Sequence, residues 1–236
     1  MSDIQTAVIL AGGFGTRLSQ VVSTKPKVMA PVVGKPFLTY ILDQLVSFQL
    51  REVVICTGHL HNAIVEHFGN HYRSIDITYS NETVVRGTGG AVRNALPVLN
   101  SSLVLVMNGD SYCNFDMSEF EVFHAVTGAD VSMLLVQEDN NVRGGLVSVA
   151  ADDRVISFKE KESSAVTSLI NAGVYIMDTE VIRHMPTQSP YSLENDFFPT
   201  LVNKSLYGMM SDGPFIDIGT PEAFRNAQAF FSGNTI

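Results

Sequence analysis

The sequence predicts a single α/β domain on a doubly wound, mostly parallel but mixed sheet, and three observations predict it. Short runs of Val, Ile and Leu recur through the first 137 residues and are continuous rather than alternating, as in strands covered on both faces. Segments of helical period separate them, and strand–helix alternation of this kind favours parallel pairing. Beyond that point the rhythm turns hairpin-like, which predicts a more antiparallel second half.

The strand candidates are "TAVILA" (6–11), "EVVICTG" (52–58), "IDITYS" (75–80), "LVLVMNGD" (103–110) and "DVSMLLVQ" (130–137), each bounded by Gly, Asn or Asp. Between them, "KPFLTYILDQLVSFQ" spaces Phe37, Leu38, Ile41, Leu42, Leu45 and Val46 along one helical stripe, with Pro36 suited to its first turn. "HNAIVEHFGNHY" and "TGGAVRNAL" are helical after the second and third strands, and "DMSEFEVFHAV" opens on an Asp116/Glu119 capping pattern. In the second half, "GGLVSVAADDRVISFKEK" reads as two strands about an Asp-Asp turn and "TSLINAGVYIMD" as another strand. Helical segments over 192–203 and 221–231 flank the strand "SLYGMM"; Thr220-Pro221-Glu222 supplies an N-cap, a proline at the first position and an acid in the first turn. No linker or internal repeat divides the chain. The expected organisation is one domain over 1–236, divided at about 137 into an alternating first half and a more antiparallel second half, about 138–236, that supplies an acceptor pocket.

A chain of 236 residues with 45% hydrophobic and 17% charged residues is globular. Its net charge of −9 disfavours nucleic acid as a partner. Any anionic ligand must therefore be held by a local group of cations. Two cysteines without a CxxC, and no secretory signal or membrane span, point to a reducing, cytoplasmic setting. Cys56, in an apolar run, reads as a buried hydrophobe. The six histidines lack ligand spacing and read as surface or packing residues. No Ser-His-Asp order or G-x-S-x-G supports acyl transfer.

The chemistry-bearing stretch is "LAGGFGTRL" followed by "KPKVMAPVVGKPFL". It leaves the first strand at its carboxyl end, where open α/β sheets bind ligands. Gly12, Gly13 and Gly15 allow close backbone approach and expose amide donors to an anion. Arg17 adds a guanidinium fork and Lys27 a movable point charge. A polyphosphate fits this set; a tight turn with solvated charges is the alternative. A dinucleotide G-x-G-x-x-G would need glycine where Leu18 stands, and no G-x-x-x-x-G-K-[ST] occurs.

These residues resemble the signature of the sugar-1-phosphate nucleotidyltransferases, G-G-x-G-T-R-L with P-K-x-x-x-P-V-x-x-K-P. Later landmarks follow in order: "GTGGA" (87–91), "NGD" (108–110), "FKEK" (158–161), "NAGVY" (171–175) and "DIGTP" (217–221). The resemblance covers essentially the whole chain and implies a Rossmann-like nucleotidyltransferase fold. It implies transfer of a nucleotidyl group from a nucleoside triphosphate to a sugar 1-phosphate, with pyrophosphate released.

Under that resemblance Arg17, Lys27 and Lys161 are the catalytic cations. Leu10, Ala11, Gly12, Gly13, Gly15, Thr16, Gly87, Thr88, Gly89, Asn108 and Gly109 meet the nucleotide, and Glu160, Asn171, Gly173 and Glu194 meet the sugar phosphate alongside Lys161. Asp110 and Asp217 would hold Mg²⁺, a hard cation suited to two carboxylates plus phosphate oxygens; the alternative is that each caps a turn. The loop of Thr88, Gly89 and Gly90 is implied to meet the nucleobase, with a plain helix start as the alternative; Lys159 and Glu162 read as a solvated charge run, and Glu194 and Asp196 either touch sugar or cap a helix. Within the family, "VMAPVVGKPFLTYILDQL", "RGTGGA" and "FIDIGTPE" are most similar to bacterial D-glycero-α-D-manno-heptose-1-phosphate guanylyltransferases. That implies GTP, a heptose 1-phosphate and GDP-heptose for surface polysaccharide. The alternatives are uridylyl or cytidylyl transfer to another sugar or polyol phosphate, or a catalytically silent nucleotide-sugar sensor. Arg86, where an apolar residue is expected, leaves the base open. "YILDQLVSF" and "AFRNAQAFF" are candidates for a homodimer interface as well as for core packing.

Overall fold

Residues 4–13, 25–138, 145–160, 168–188 and 190–233 are described in the computed structural model. In chain order, β1 (Thr6–Leu10) is followed by one 3-10 turn (Lys27–Met29), a short hairpin of β2 (Pro31–Val32) and β3 (Lys35–Pro36), and helix α1 (Phe37–Ser47). Next come β4 (Glu52–Thr57), α2 (His61–Phe68), β5 (His71–Tyr72), β6 (Ile75–Asn81), α3 (Gly87–Ala95), β7 (Leu103–Asn108), β8 (Ser111–Cys113) and α4 (Met117–Thr127). The rest holds β9 (Val131–Glu138), β10 (Gly145–Val149), β11 (Val155–Glu160), β12 (Ser168–Asp178), α5 (Thr179–His184), α6 (Phe198–Leu201), β13 (Leu206–Met210), β14 (Phe215–Asp217) and α7 (Pro221–Phe231).

The continuous apolar runs are strands with two buried faces. Along β1, Ala7 and Ile9 enter one core cluster with α1, α2 and α4, and Val8 enters a second with α3. Val53/Ile55 against Val54/Cys56, and Leu105/Met107 against Val104/Val106, split in the same way. This is the period-2 geometry of a strand sandwiched between helical layers. The stripe on α1 is realised: Phe37, Leu38, Ile41, Leu42 and Leu45 are fully buried. Pro36 stands just outside the helix at its N-cap with extended backbone, not in the first turn. Asp116 caps α4 by accepting the Glu119 N–H (3.0 Å), and Thr220 caps α7 by accepting that of Ala223 (3.2 Å).

One ten-stranded mixed sheet runs β11-β10-β12-β7-β1-β4-β6-β5, with β9 on β12 and β13 on β9. Its centre, β7-β1-β4-β6, is parallel. The fourth-to-fifth strand step differs from the alternating pattern of the sequence. β9 does not join β7; β12 lies between them, antiparallel to both. The 11-residue β12 is long enough to serve both neighbours, and local periodicity carries no record of such pairing order. No helix among the described residues is long and apolar enough to cross a membrane.

The parallel strands deliver their carboxyl ends to one edge, and the chain's last strand returns there. β14 pairs antiparallel with β8, setting Asp217 opposite Ser111. The Ile218 N–H then donates to the Asp110 carbonyl (3.0 Å), and the Ile218 side chain is fully buried. Ile218→Ala should destabilise the protein by about 3 kcal/mol and Ile218→Val by about 1 kcal/mol, measured by denaturant unfolding. Equal costs would show that this side chain does not anchor the return strand.

Candidate active site

Lys27 and Asp110 form the centre of the site. Lys27 opens the 3-10 turn, whose next two residues, Val28 and Met29, are buried and fix its direction. Asp110 leaves β7 after Gly109, whose N–H donates to the Leu10 carbonyl (2.9 Å). The Lys27 Nζ donates to Asp110 Oδ2 at 2.5 Å. Lys27 is largely covered, its side chain 15% exposed, and Asp110 faces open space at 41%. A charge-assisted contact in this half-dry setting is stronger than a fully solvated pair.

Two cavities meet at that pair. The larger, about 860 Å³, opens over the carboxyl ends of β1, β4 and β6 and is lined by Leu10, Ala11, Gly12, Gly13, Gly87 and Thr88. The smaller, about 350 Å³, is lined by Asn171, Gly173, Glu194 and Asp217. Lys27, Asn108 and Asp110 line both. Asp217 and Asp110 thus share one cavity despite their distance in sequence, and Asp217 also accepts the Gly219 N–H.

The smaller cavity is shaped by an irregularity in β12. Its register against β9 shifts between Asn171 and Tyr175, where Asn171 Oδ1 accepts the Gly173 N–H (2.9 Å) and Asn171 Nδ2 donates to the Tyr175 hydroxyl (2.7 Å). Bulges of this type re-aim a strand beside a functional site. Ser111 Oγ donates to the Ala172 carbonyl (3.2 Å), tying the Asp110 turn to the bulge.

Gly87 and Gly89 are needed for packing within the protein itself. Gly87 has φ +75°, and a Cβ there would sit 2.6 Å from the Tyr191 carbonyl oxygen; one on Gly89 would sit 2.8 Å from the Tyr191 ring. These glycines let the 191–194 segment dock on the start of α3. Gly109 is packed against Leu10 and Val28. Neither Gly89 nor Gly109 lines either cavity. In the 192–197 segment, Ser192 Oγ caps the Glu194 and Asn195 N–H groups and Asp196 accepts the Ser192 N–H (2.7 Å). Asp196 is therefore a helix-start residue, and Glu194 reaches the cavity. Gly15, Thr16, Arg17 and Lys161 lie outside the described residues, as does the Glu160 side chain.

The family profile for nucleotidyl transferases matches residues 6–233. The chain belongs to the nucleotidyl transferase family. It is 39% identical over 223 residues to D-glycero-alpha-D-manno-heptose 1-phosphate guanylyltransferase of Aneurinibacillus thermoaerophilus, covering 94% of this chain and 96% of that protein. It is 33% identical to mannose-1-phosphate guanylyltransferase of Mycobacterium tuberculosis, covering 94% of this chain but 63% of that protein. The crystal structure of HddC from Yersinia pseudotuberculosis complexed with GMP-PN superposes with a TM-score of 0.85 at 31% identity, covering 97% and 100% of the two chains.

Sequence reasoning missed several of the wall residues. His59 and His61 line the larger cavity; His59 is exposed, as expected, and His61 is half-buried with its Nδ1 hydrogen-bonded to Thr57 Oγ1 (2.8 Å). Glu82 lines the same cavity. Both follow parallel strands at their carboxyl ends, and that position is the signal that could have found them. Burial raises the Cys113 thiol to about 11 and raises Cys56 further. Both stay protonated at neutral pH and are no nucleophiles.

Burial also holds the Glu82 carboxyl above its ordinary value, partly offset by the Arg86 N–H it accepts (3.1 Å) and by the Arg86 charge. The raised direction means that ionised Glu82 is penalised in the folded protein at pH 7, and that the penalty fades as pH falls through its raised value. Glu82→Gln, which keeps an acceptor for Arg86, should thus leave the ligand-free protein at least as thermally stable at pH 7. That advantage should vanish near pH 4. A loss of stability at pH 7 would contradict the burial account.

Proposed function

We propose that this protein transfers GMP from GTP to D-glycero-α-D-manno-heptose 1-phosphate, giving GDP-heptose and pyrophosphate. The observation that carries the reading is the junction: one lysine and one aspartate belong at once to a large cavity and a smaller polar one. A triphosphate in the first and a sugar 1-phosphate in the second would meet there. The relatives named above support guanylyl transfer and a sugar 1-phosphate acceptor.

The reaction needs no general base. A phosphate monoester has its second pKa near about 6, so the attacking oxygen is already ionised at neutral pH. That oxygen bonds to the α-phosphorus, and the bond to the bridging oxygen of the leaving pyrophosphate breaks. What must be supplied is alignment and positive charge. Lys27 would meet the α-phosphate, and Gly12 and Gly13, which line the same cavity, would offer it backbone amides. Arg17 would take the outer phosphates and Lys161 the acceptor phosphate. Glu194 and Asn171 would orient the sugar.

Asp110 and Asp217 offer hard carboxylate oxygens in one cavity, a donor set that suits Mg²⁺. Among the described residues there is no group of three or more His, Cys, Asp or Glu side chains arranged to hold a metal ion. A cation held by this pair would complete its shell from phosphates and water, as Mg²⁺ commonly does. When bound, it would supply charge neutralisation between the reactants.

Glu82 supports guanine as the base. It follows β6 and lines the larger cavity beside the glycine turn, where a Cβ on Gly12 would sit 3.5 Å from Glu82 Oε1. An ionised carboxylate only accepts hydrogen bonds. Guanine alone presents two donors side by side, N1–H and the exocyclic amine; on adenine, cytosine and uracil no two donors adjoin along that edge. Ionised Glu82 would gain in that pairing what burial costs it in the free protein.

Pyrophosphate release measured with four nucleoside triphosphates against heptose, mannose and glucose 1-phosphates tests the reading. GTP with heptose 1-phosphate should give the highest kcat/KM; silence across the panel would favour a nucleotide-sugar sensor. Lys27→Ala should lower kcat at least ~100-fold, as removal of one preorganised donor does elsewhere. A loss of only a few-fold would remove Lys27 from the mechanism. Glu82→Gln should cut the preference for GTP over the other triphosphates at least ~10-fold, in line with about 1–3 kcal/mol for a bidentate base contact. An unchanged preference would place base recognition elsewhere.

A further inference from the structure

We propose that Thr88 and Glu194 form a strut that couples the two cavities, so that a sugar 1-phosphate in the smaller one tightens nucleotide binding in the larger. The inference rests on the assignment of the cavities made above and adds a positioning role that neither residue needs for simple contact with its own ligand.

The strut is a directional chain of hydrogen bonds. The Leu193 N–H donates to Thr88 Oγ1 (2.8 Å), and Thr88 Oγ1 donates to Glu194 Oε2 (2.6 Å). Ser192 Oγ donates to the same Oε2 (2.8 Å). Thr88 is on the wall of the larger cavity and Glu194 on that of the smaller. One hydroxyl thus joins the first turn of α3 to the acceptor side across 106 residues of sequence. Two backbone contacts brace it: the Tyr191 N–H to the Arg86 carbonyl (2.8 Å) and the Gly90 N–H to the Tyr191 carbonyl (3.0 Å).

Among the described residues, the donors to Glu194 all use Oε2. Oε1 remains for a hydroxyl in the smaller cavity. A hydroxyl donating there would hold the carboxylate in the rotamer that Thr88 needs, and so order the turn carrying Gly87 and Thr88. Thr88 and Glu194 are each half-buried, and the strut between them runs beside the buried Tyr191 and Leu193. The second ligand then meets a wall whose ordering cost has been met by the first. Linkage requires the effect to be mutual and equal in both directions.

The test is equilibrium binding of guanosine 5′-(α,β-methylene)triphosphate, which cannot be cleaved at the reacting bond, with and without heptose 1-phosphate. For the full-length protein the analogue should bind at least ~5-fold more tightly when the sugar phosphate is present, the low end of ordinary coupling. The affinity for the sugar phosphate should rise by the same factor when the analogue is present. Thr88→Val should bring the ratio close to one, and Thr88→Ser should restore it. Should Thr88→Val fail to fold, Thr88→Ala removes the same hydroxyl and gives the same reading. A wild-type ratio near one, or a ratio that survives loss of the hydroxyl, overturns the strut. Absence of binding by wild-type protein to either ligand alone overturns the cavity assignment, and the strut with it.

Discussion

The active centre depends on one contact, the Lys27–Asp110 pair at the crossing of two cavities. Two unit charges 4 Å apart near a protein surface repel by about 4 kcal/mol, and a triphosphate facing a sugar phosphate brings several. A chain of net charge −9 cannot offset this through its overall field. Positive charge has to be placed locally and kept there. The sheet does the placing: β1 and β7 are adjacent and parallel, with Leu10 beside Asn108, so the glycine turn and the Asn-Gly-Asp turn leave the sheet together. The Ile218 N–H then pins Asp110 from the other side of the chain. With Lys27 in contact, Asp110 is neutralised until phosphate oxygens compete for the ammonium.

Much of this could be read in the amino acids because local rules were enough. Continuous apolar runs gave both-face-buried strands, and Asp116 and Thr220 capped the helices their spacing announced. Asp110 and Asp217 were placed by a rule about strand ends, and they share a cavity. What local rules could not supply was long-range pairing. β12 inserts between β7 and β9, and nothing in either strand's composition encodes its neighbour. The same limit hid the partner of the Gly87 turn. Glycines there looked like bare backbone for a base; their closeness to Tyr191 depends on a segment a hundred residues away in sequence. His59, His61 and Glu82 carried no motif of their own, only a position after a strand.

The glycines and the polar side chains of the two walls therefore serve one arrangement. Small residues at 87 and 89 admit the 191–194 segment, and that docking lets a threonine hydroxyl meet a carboxylate from the far half of the chain. A larger residue at either position would separate the walls even if the nucleotide could still fit. This explains why a stretch that seems made for ligand approach is packed on one side by protein. The backbone there has Tyr191 on one side, and on the other Gly87 lines the larger cavity.

Acidic residues near a polyphosphate seem at odds with the task, yet each one has a place where charge helps. Asp110 stands at the junction and Asp217 in the smaller cavity, where in the proposed reading a lysine and a divalent cation would turn them from repulsive into bridging groups. Glu82 lines the larger cavity, and in the same reading an acceptor-only group there would select for a base edge made of donors. Glu194 has one oxygen committed to Thr88 and Ser192, and its charge is shared with two hydroxyls before any ligand arrives. In the proposed reading negative charge would be offset by a cation, by hydrogen bonding or by pairing with the base. A site arranged so would hold two anions in contact without the protein being basic, and its selectivity would come from the same acids that its net charge appears to make a liability.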